Sequence, residues 1–170
     1  MKPNAIVYTS NTGFTEQYAR LLGEKTGLPV YPLSEAERKV SPGSSILYLG
    51  WIRAGKVQGY EKAAKGYRVE AVCGVGVGAT GSQLQELQKA NGFPVGLPAF
   101  SLQGGFDRNR LRGVYKWMMT VMVKTVGKGL AEKKDRTPEE DVMLELLTHG
   151  GSFVREENLA DVLEWYEKEA

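Results

Sequence analysis

The sequence predicts an α/β fold in which helices cover both faces of a parallel β-sheet. Five short apolar runs alternate with segments of helical spacing over the first 101 residues. Runs that are apolar throughout are typical of parallel strands buried on both faces. Turn signals rich in glycine, proline and asparagine separate the segments. Because strands that alternate with helices form βαβ units, the expected sheet is parallel.

The elements can be assigned in chain order. Gly27 ends the first expected helix, and Asn91-Gly92 ends the third. At the start of the third helix, Ser82 and Gln85 predict a capping box. The stretch 34–44 is polar, with Pro42-Gly43 as a turn. Strands are expected at residues 4–9, 29–31, 45–49, 69–75 and 95–101, and helices at 15–25, 58–65 and 82–90.

Length and composition fit one soluble globular domain. The chain has 170 residues, of which 42% are hydrophobic and 25% charged, and its net charge of +2 gives no electrostatic argument for a nucleic-acid partner. Cys73 is the single cysteine, so an intrachain disulfide is excluded. Because His149 is also the single histidine, a familiar zinc cluster is excluded and Cys–His or Ser–His catalysis is disfavoured. No signal peptide or membrane-length apolar stretch is visible, so we expect a cytoplasmic protein.

The first loop has the composition of an anion site. It follows the run Ala5-Ile6-Val7-Tyr8 and leads into the first expected helix, where free N–H groups and the helix dipole favour negative charge. The loop holds three hydroxyl groups but neither lysine nor arginine, so a phosphate would be held by neutral donors. The alternative is an ordinary turn in which Thr12 or Thr15 caps the helix. The candidate residues are Ser10, Asn11, Thr12, Gly13, Phe14 and Thr15.

This loop resembles the FMN phosphate loop of the flavodoxin family. Ser10, Thr12, Gly13 and Thr15 match the positions that carry Ser or Thr, Thr, Gly and Thr in that family, and the motif lies at the same first βα turn. The resemblance implies an FMN cofactor. It also implies a three-layer sandwich around a five-stranded parallel sheet with the strand order 2-1-3-4-5.

The loop expected after the third strand places an aromatic ring between glycines, in the segment Gly50-Trp51-Ile52-Arg53-Ala54-Gly55. A planar ring can stack on Trp51, and the glycines allow the backbone to approach a ring edge. In flavodoxin-like proteins this loop contacts the isoalloxazine, which implies that role for Gly50, Trp51, Ile52 and Arg53. The alternative is a surface tryptophan beside a solvated arginine.

The loop after the fourth strand reads G-x-G-x-x-G through Gly76, Gly78 and Gly81. This is the dinucleotide fingerprint, but it lies after the fourth strand instead of the first, and the next strand ends without the expected acidic residue. We therefore interpret Gly76, Val77 and Gly78 as a wall against the flavin edge. Cys73, within that strand, is expected to be a buried residue and not a redox thiol.

The remainder of the chain is longer than this fold requires. We expect a single domain, 1–170, with a core of 1–126 and a helical C-terminal extension of 127–170. An apolar helix over 111–126 carries Lys116, Thr120 and Lys124 on one stripe. The favoured explanation of Val114–Val126 is packing against the sheet; the alternative is a docking face for a protein, a hydrophobic substrate or a membrane surface.

Charged residues 128–136 are expected to link this helix to another that begins at Thr137-Pro138 with Glu140 at the third position. A last helix is expected over 157–168, and residues 152–154 before it are expected to form either an extra strand or an extended link.

The chain resembles the branch of flavodoxin-like proteins that includes the FMN-dependent protoporphyrinogen oxidase. The matching features are Ile52-Arg53, the Met-rich helix, Phe153-Val154 and Trp165. No basic insertion of the kind that accompanies substrate and quinone use there is visible around the third loop, and no residue presents itself as a catalytic acid or base. We expect an FMN protein that transfers electrons or oxidises or reduces a small aromatic or quinone-like substrate.

Whether the chain is an enzyme stays open at this point. The alternatives are an electron carrier or partner-docking module without its own substrate, a protoporphyrinogen dehydrogenase-like enzyme, and a fold relic that binds no flavin. The implied partner is a redox protein or a small-molecule acceptor.

Overall fold

A mostly parallel six-stranded sheet forms the centre of the computed structural model, which describes residues 1–107, 109–111 and 113–169, with backbone alone at Tyr115 and Met119. Its strand order is β2-β1-β3-β5-β6, and the short β4 pairs antiparallel with β3. The strands are β1 (Ala5–Thr9), β2 (Val30–Pro32), β3 (Ser45–Arg53), β4 (Lys56–Val57), β5 (Arg68–Gly76) and β6 (Ala99–Gln103).

The prediction of five strands in the order 2-1-3-4-5 misses β4. The chain reverses at Ala54 and Gly55, which have φ values of 47° and 75°, so that Ile52 pairs with Val57. This hairpin lengthens β3 to Arg53, four residues beyond the expected end at Leu49. With β4 counted, the order becomes 2-1-3-5-6.

Helices cover both faces of the sheet. On one face α1 and α7 pack over alternate strand residues such as Leu47 and Leu49, and on the other α2, α3 and α4 pack over residues such as Val7 and Tyr48. The alternation of side chains along each strand separates these two cores. The helices are α1 (Phe14–Thr26), α2 (Leu33–Lys39), α3 (Tyr60–Gly66), α4 (Leu84–Asn91), α5 (Gly113–Glu132), α6 (Pro138–His149) and α7 (Ala160–Lys168).

Several local predictions require correction. The polar stretch 34–44 is helical as far as Lys39, because α2 begins at Leu33; Leu33 and Ala36 are its buried residues. The fifth parallel strand begins at Ala99 instead of 95, because Val95 is fully exposed in the loop before it. The capping box expected at Ser82 is absent, since the Ser82 hydroxyl donates to the Ala79 carbonyl and α4 begins at Leu84.

Between β6 and α7 the chain forms the insertion, which we define as residues 105–152. It consists of β7 (Gly105–Phe106), α5, α6 and β8 (Gly151–Ser152), with β7 and β8 paired antiparallel. Phe106, Leu111 and Leu146 are buried at its centre. After the insertion, Leu159 and Val162 return to the sheet core, so α7 completes the layer that contains α1.

The long helix α5 differs from the favoured expectation. It reaches Glu132, so the charged linker begins within the helix, and it packs against α6. Trp117 is 68% exposed and Val114 63% exposed, and Met118, Val121, Met122 and Val126 are also exposed. These side chains do not pack against the sheet. Arg112, within the helix predicted at 111–126, lies outside the described residues.

The described helices were also compared with the requirements of a membrane span. None of them combines the length and the apolar composition needed to cross a bilayer.

Candidate functional site

The sheet register brings the predicted loops to one edge. Thr9, the last residue of β1, pairs with Gly50, and Gly50 pairs with Gly74; β3 continues three residues beyond this row and β5 two. Ser10 follows Thr9 along the chain and Trp51 follows Gly50, so both residues come directly after this row. Ligands of parallel α/β sheets bind beyond this carboxyl edge. The fold thus brings the hydroxyl-rich loop and Trp51 to the same edge of the sheet.

The first loop enters α1 through a glycine. Gly13 is the N-cap, with φ of 97°, and no side chain caps the helix. The Ser10 hydroxyl oxygen accepts the Gly13 N–H at 3.1 Å, which closes the turn. The structural alternative, in which Thr12 or Thr15 caps α1, is therefore not what the chain adopts. The N–H groups of the first turn of a helix have no acceptor within the helix and suit an anion.

The hydroxyl groups of the loop differ in accessibility. Thr15 is only 2% exposed, whereas Ser10 and Thr12 are half-buried and Asn11 is exposed. The Ser10 hydroxyl uses an acceptor position for Gly13 and keeps its proton for another partner. Ser10 and Thr12 are consequently the hydroxyls best placed to reach a ligand.

Phe14 anchors the loop to the start of the insertion. The side chain is buried, and a Cβ added at Gly105 would lie 2.8 Å from its ring. A Cβ at Gly104 would lie 3.2 Å from the Phe14 Cβ. These two glycines therefore allow β7 to pass close to the aromatic ring. Phe14 offers the site its backbone, while its ring fixes the position of the loop.

Arg110 brings to the loop a positive charge that was not predicted. Its Nη1 donates to the Thr12 carbonyl at 3.1 Å, and its Nε lies 3.3 Å from Asp107 Oδ2. The loop itself contains neither lysine nor arginine, and this cation reaches it from a distant part of the chain. The sequence signal was the arginine-rich segment between Phe106 and Gly113, but 98 residues separate Arg110 from Thr12, so local reading could not connect them.

The segment after the third strand is a β-hairpin and not the expected loop. Gly50 is buried, and a Cβ there would lie 2.5 Å from the Gln58 carbonyl oxygen and 2.6 Å from Val57 Cγ1. The bare surface of Gly50 thus makes room for β4. We predicted that Gly50 would let the backbone approach a ring edge. In the structure, its lack of a side chain is explained by the close packing of β4.

The side chains of β3 alternate between the two faces at this edge. Ile52 packs over the sheet on the side of α4, because Cβ atoms added at Gly74 and Gly76 would lie 3.1 and 3.0 Å from it. Trp51 and Arg53 are on the opposite face, the former half-buried and the latter exposed. Of the predicted ring contacts, Trp51 and Arg53 are the ones whose side chains share a face with α1.

The third loop is occupied by contacts within the protein. Gly78 N–H donates to Gln83 Oε1 at 3.3 Å, and the Gly76 carbonyl accepts the Gly104 N–H at 2.7 Å. The Val77 carbonyl accepts from Gln103 Nε2 at 3.3 Å, and the Val77 side chain packs against the buried cluster of the insertion. Gly76, Val77 and Gly78 are accordingly held in place by their neighbours. In addition, α4 begins three residues after Gly81, so the glycine pattern does not open a helix as a dinucleotide site requires.

Tyr18 ties the elements beneath this edge together. Its hydroxyl donates to the Gln103 carbonyl and accepts from Asn158 Nδ2 at 2.7 Å, with the Phe153 carbonyl 3.3 Å away. Burial raises the pKa of Tyr18, so the phenol stays neutral. α1, β6 and the segment before α7 are thus joined at one point. Cys73 is fully buried in β5, which confirms that it is a buried strand residue, and burial raises the pKa of its thiol.

Two cavities lie away from the candidate site. One of about 110 Å³ is lined by Leu33, Tyr67 and neighbouring residues, and one of about 360 Å³ lies near Glu70, Pro98 and Trp165. The second is at the amino edge of the sheet, opposite the loops. No predicted site residue lines either cavity, so they give no support to a ligand at the predicted edge.

Comparisons with known proteins give no match to a protein-family model, a curated protein or a solved structure. The function therefore has to be argued from the geometry of the site.

Proposed function

We propose that this chain is a flavodoxin-like protein, a three-layer sandwich that binds FMN at the carboxyl edge of its sheet and transfers electrons through the flavin. The observation that carries the proposal is the start of α1, where a glycine N-cap without a capping side chain follows a hydroxyl-rich turn directly after β1. A helix start of this kind attracts a phosphate group.

The first loop offers more groups suited to the FMN phosphate than the other two loops offer to the isoalloxazine ring. Ser10 and Thr12 supply accessible hydroxyls, and Phe14 and Thr15 supply backbone N–H groups from the first turn. Trp51, which follows Gly50 at the same edge of the sheet, supplies an aromatic surface for the isoalloxazine. Arg53, on the same face, favours a negative charge on the ring or a substrate carboxylate.

The chemistry would be that of the flavin. FMN, when bound, supplies transfer of electrons or hydride, and the chain binds it, orients it and sets its surroundings. Buried Cys73 and Tyr48, whose pKa values are raised by burial, are unsuited to acid–base or thiol chemistry. The substrate class that we propose is a small aromatic or quinone-like molecule.

A second candidate is an electron carrier or partner-docking module without its own substrate. The observation that favours it is the exposed apolar side of α5, with Trp117 and Val114 more than half exposed. Exposed apolar patches of this kind mark interaction surfaces. Turnover of a quinone with reduced pyridine nucleotide would support the enzyme, and reduction only by a ferredoxin-type protein would support the carrier. Turnover of a porphyrinogen would support the protoporphyrinogen dehydrogenase-like alternative.

The first experiment is the absorption spectrum of the purified protein, followed by calorimetric titration with FMN. We expect binding that Thr12→Val and Gly13→Ala weaken strongly, because each alters the phosphate loop. Thr125→Val, the same substitution on exposed α5, is the matched control. Unchanged FMN affinity in both loop variants would falsify the assignment.

The ring position is tested separately. Trp51→Ala should alter the absorption of bound flavin and reduce the quenching of its fluorescence, because stacking on the indole is lost. A bound-flavin spectrum identical to that of the unaltered protein would exclude Trp51 as the stacking residue.

A further inference from the structure

An arginine from the insertion reaches the candidate anion loop. Arg110 Nη1 lies 3.1 Å from the Thr12 carbonyl oxygen, and a Cβ added at Gly13 would lie 2.8 Å from the same nitrogen. The guanidinium therefore lies over the bare face of Gly13, at the N-terminus of α1. Any larger residue at position 13 would displace it.

The surroundings of Arg110 explain how it is held there. Asp107 Oδ1 accepts the Asn109 N–H at 2.9 Å and thereby fixes the turn, while Oδ2 lies 3.3 Å from Arg110 Nε. The next residue, Leu111, is buried in the cluster of the insertion. The backbone is thus anchored on both sides of Arg110, although the side chain itself is 59% exposed.

The positive charge of Arg110 adds to the attraction for an anion at the start of α1. The start of α1 already favours an anion through its N–H groups and dipole. Arginine carries five N–H donors in a planar fork that matches phosphate oxygens. In the structure Arg110 uses Nη1 for a carbonyl and Nε for Asp107, which leaves further donors on the same group for an anion.

We propose that Arg110 is the cationic ligand of the phosphate group bound by the first loop. The inference rests on the proposed function in that the phosphate is taken to be that of FMN. It adds a residue from the insertion, and it makes recognition of the phosphate depend on how the insertion is folded. It also predicts selectivity for the phosphorylated flavin over riboflavin, which lacks the anion.

The test compares Arg110→Gln with the unaltered protein in calorimetric titrations with FMN and with riboflavin. We expect FMN affinity to fall about 10- to 100-fold, the range for a lost hydrogen bond to a charged group, while riboflavin affinity stays the same. Arg20→Gln is the matched control, since Arg20 is on α1 but pairs with Glu16. Arg110→Lys should restore part of the affinity, because it returns the charge without the fork.

Inorganic phosphate separates this inference from the proposed function. Phosphate should raise the Tm of the flavin-free protein, and Arg110→Gln should remove that shift while Arg20→Gln keeps it. A phosphate shift that depends on Arg110, without any flavin binding, supports the inference and overturns the proposed function. An FMN-to-riboflavin affinity ratio that is unchanged in Arg110→Gln overturns the inference and leaves the proposed function standing. Absence of both flavin and phosphate binding in the unaltered protein overturns both.

Discussion

The compositions of α1 and α5 suggest that α5 is the more buried helix, but the structure shows the reverse. α5 is the more apolar of the two, yet it exposes Trp117 and Val121, whereas α1 buries Tyr18 and Leu22 completely. Apolar content alone therefore does not decide which helix joins the core. What decides it here is the place of each helix in the topology.

The reason lies in the space available on the sheet. α1 and α7 fill one face, and α2, α3 and α4 fill the other. Because these five helices cover both faces in the folded protein, α5 packs instead against α6 and the cluster around Phe106. A helix in that position keeps an apolar side without a partner among the described residues.

The largest expected difference between the two regions is in side-chain truncation. Leu22→Ala should lower the free energy of unfolding by about 2–5 kcal/mol, because a fully buried side chain is removed. Val121→Ala on α5 should change it by less than about 0.5 kcal/mol, because that side chain is exposed. Urea unfolding followed by far-UV circular dichroism measures both, and comparable losses would show that α5 is buried in solution.

Glycine replacements should have opposite signs in the two regions. Gly50→Ala should destabilise by about 1–3 kcal/mol, because its Cβ would overlap the Gln58 carbonyl and Val57. Gly129→Ala in α5, where no atom of the described residues lies within 4 Å of the added Cβ, should stabilise by about 0.5–1 kcal/mol through helix propensity. Thermal unfolding monitored by circular dichroism gives the comparison. A neutral Gly50→Ala would indicate that β4 does not pack as described.

Helix starts provide a smaller test of the same contrast. α6 has a full capping box, in which Thr137 Oγ1 accepts Glu140 N–H and Glu140 Oε2 accepts Thr137 N–H, whereas α1 has no side-chain cap. Thr137→Ala should remove about 1 kcal/mol of helix stability. Thr148→Ala, at the other end of α6, is the control because its hydroxyl donates within the helix. Equal losses of helical signal in both variants would contradict a specific capping role.

The smallest expected effect concerns an ion pair at the amino edge of the sheet. Burial alone would raise the pKa of Glu70, but hydrogen bonds from Ser45 and Arg68 and the charge of the N-terminus outweigh it, so the pKa lies below its ordinary value of 4.5. A lowered pKa in the folded state stabilises the protein above pH 4.5, and this stabilisation is lost as the pH falls through the folded-state pKa.

Glu70→Gln should therefore lower the free energy of unfolding at pH 7 by less than about 1 kcal/mol. At a pH below the folded-state pKa of Glu70 the substitution should have little effect. Urea unfolding at several pH values measures this difference. A destabilisation that stays constant as the pH falls below 4.5 would contradict the ionic explanation.

The sequence was sufficient where the signal lies within a few neighbouring residues. The apolar run Ala5-Ile6-Val7-Tyr8 predicted β1, and Thr137-Pro138 with Glu140 predicted the capped start of α6, which the structure confirms. The α/β class with a mostly parallel sheet also followed from the order of such local segments. Each of these depends on backbone preferences and side chains only a few residues apart.

The candidate site could be predicted only in part. The run from Ser10 to Thr15 marked the first loop, but the expected loop around Trp51 is a hairpin in which Gly50 accommodates Val57. Val77 stays a predicted wall residue, and the sequence did not reveal that its side chain packs against the insertion. Contacts between segments far apart in sequence decide these roles, and the local pattern does not contain them.

The amino-acid sequence by itself determined the parallel α/β class, the hydroxyl-rich turn after β1 and the strong start of α6, because short-range sterics and hydrogen bonding act within each segment. Only the tertiary structure decided that Arg110 lies on the backbone of Thr12, that α7 completes the layer with α1 and that α5 remains exposed. The physical reason is that the burial of a helix and the position of a charged side chain depend on contacts between elements that lie far apart in sequence.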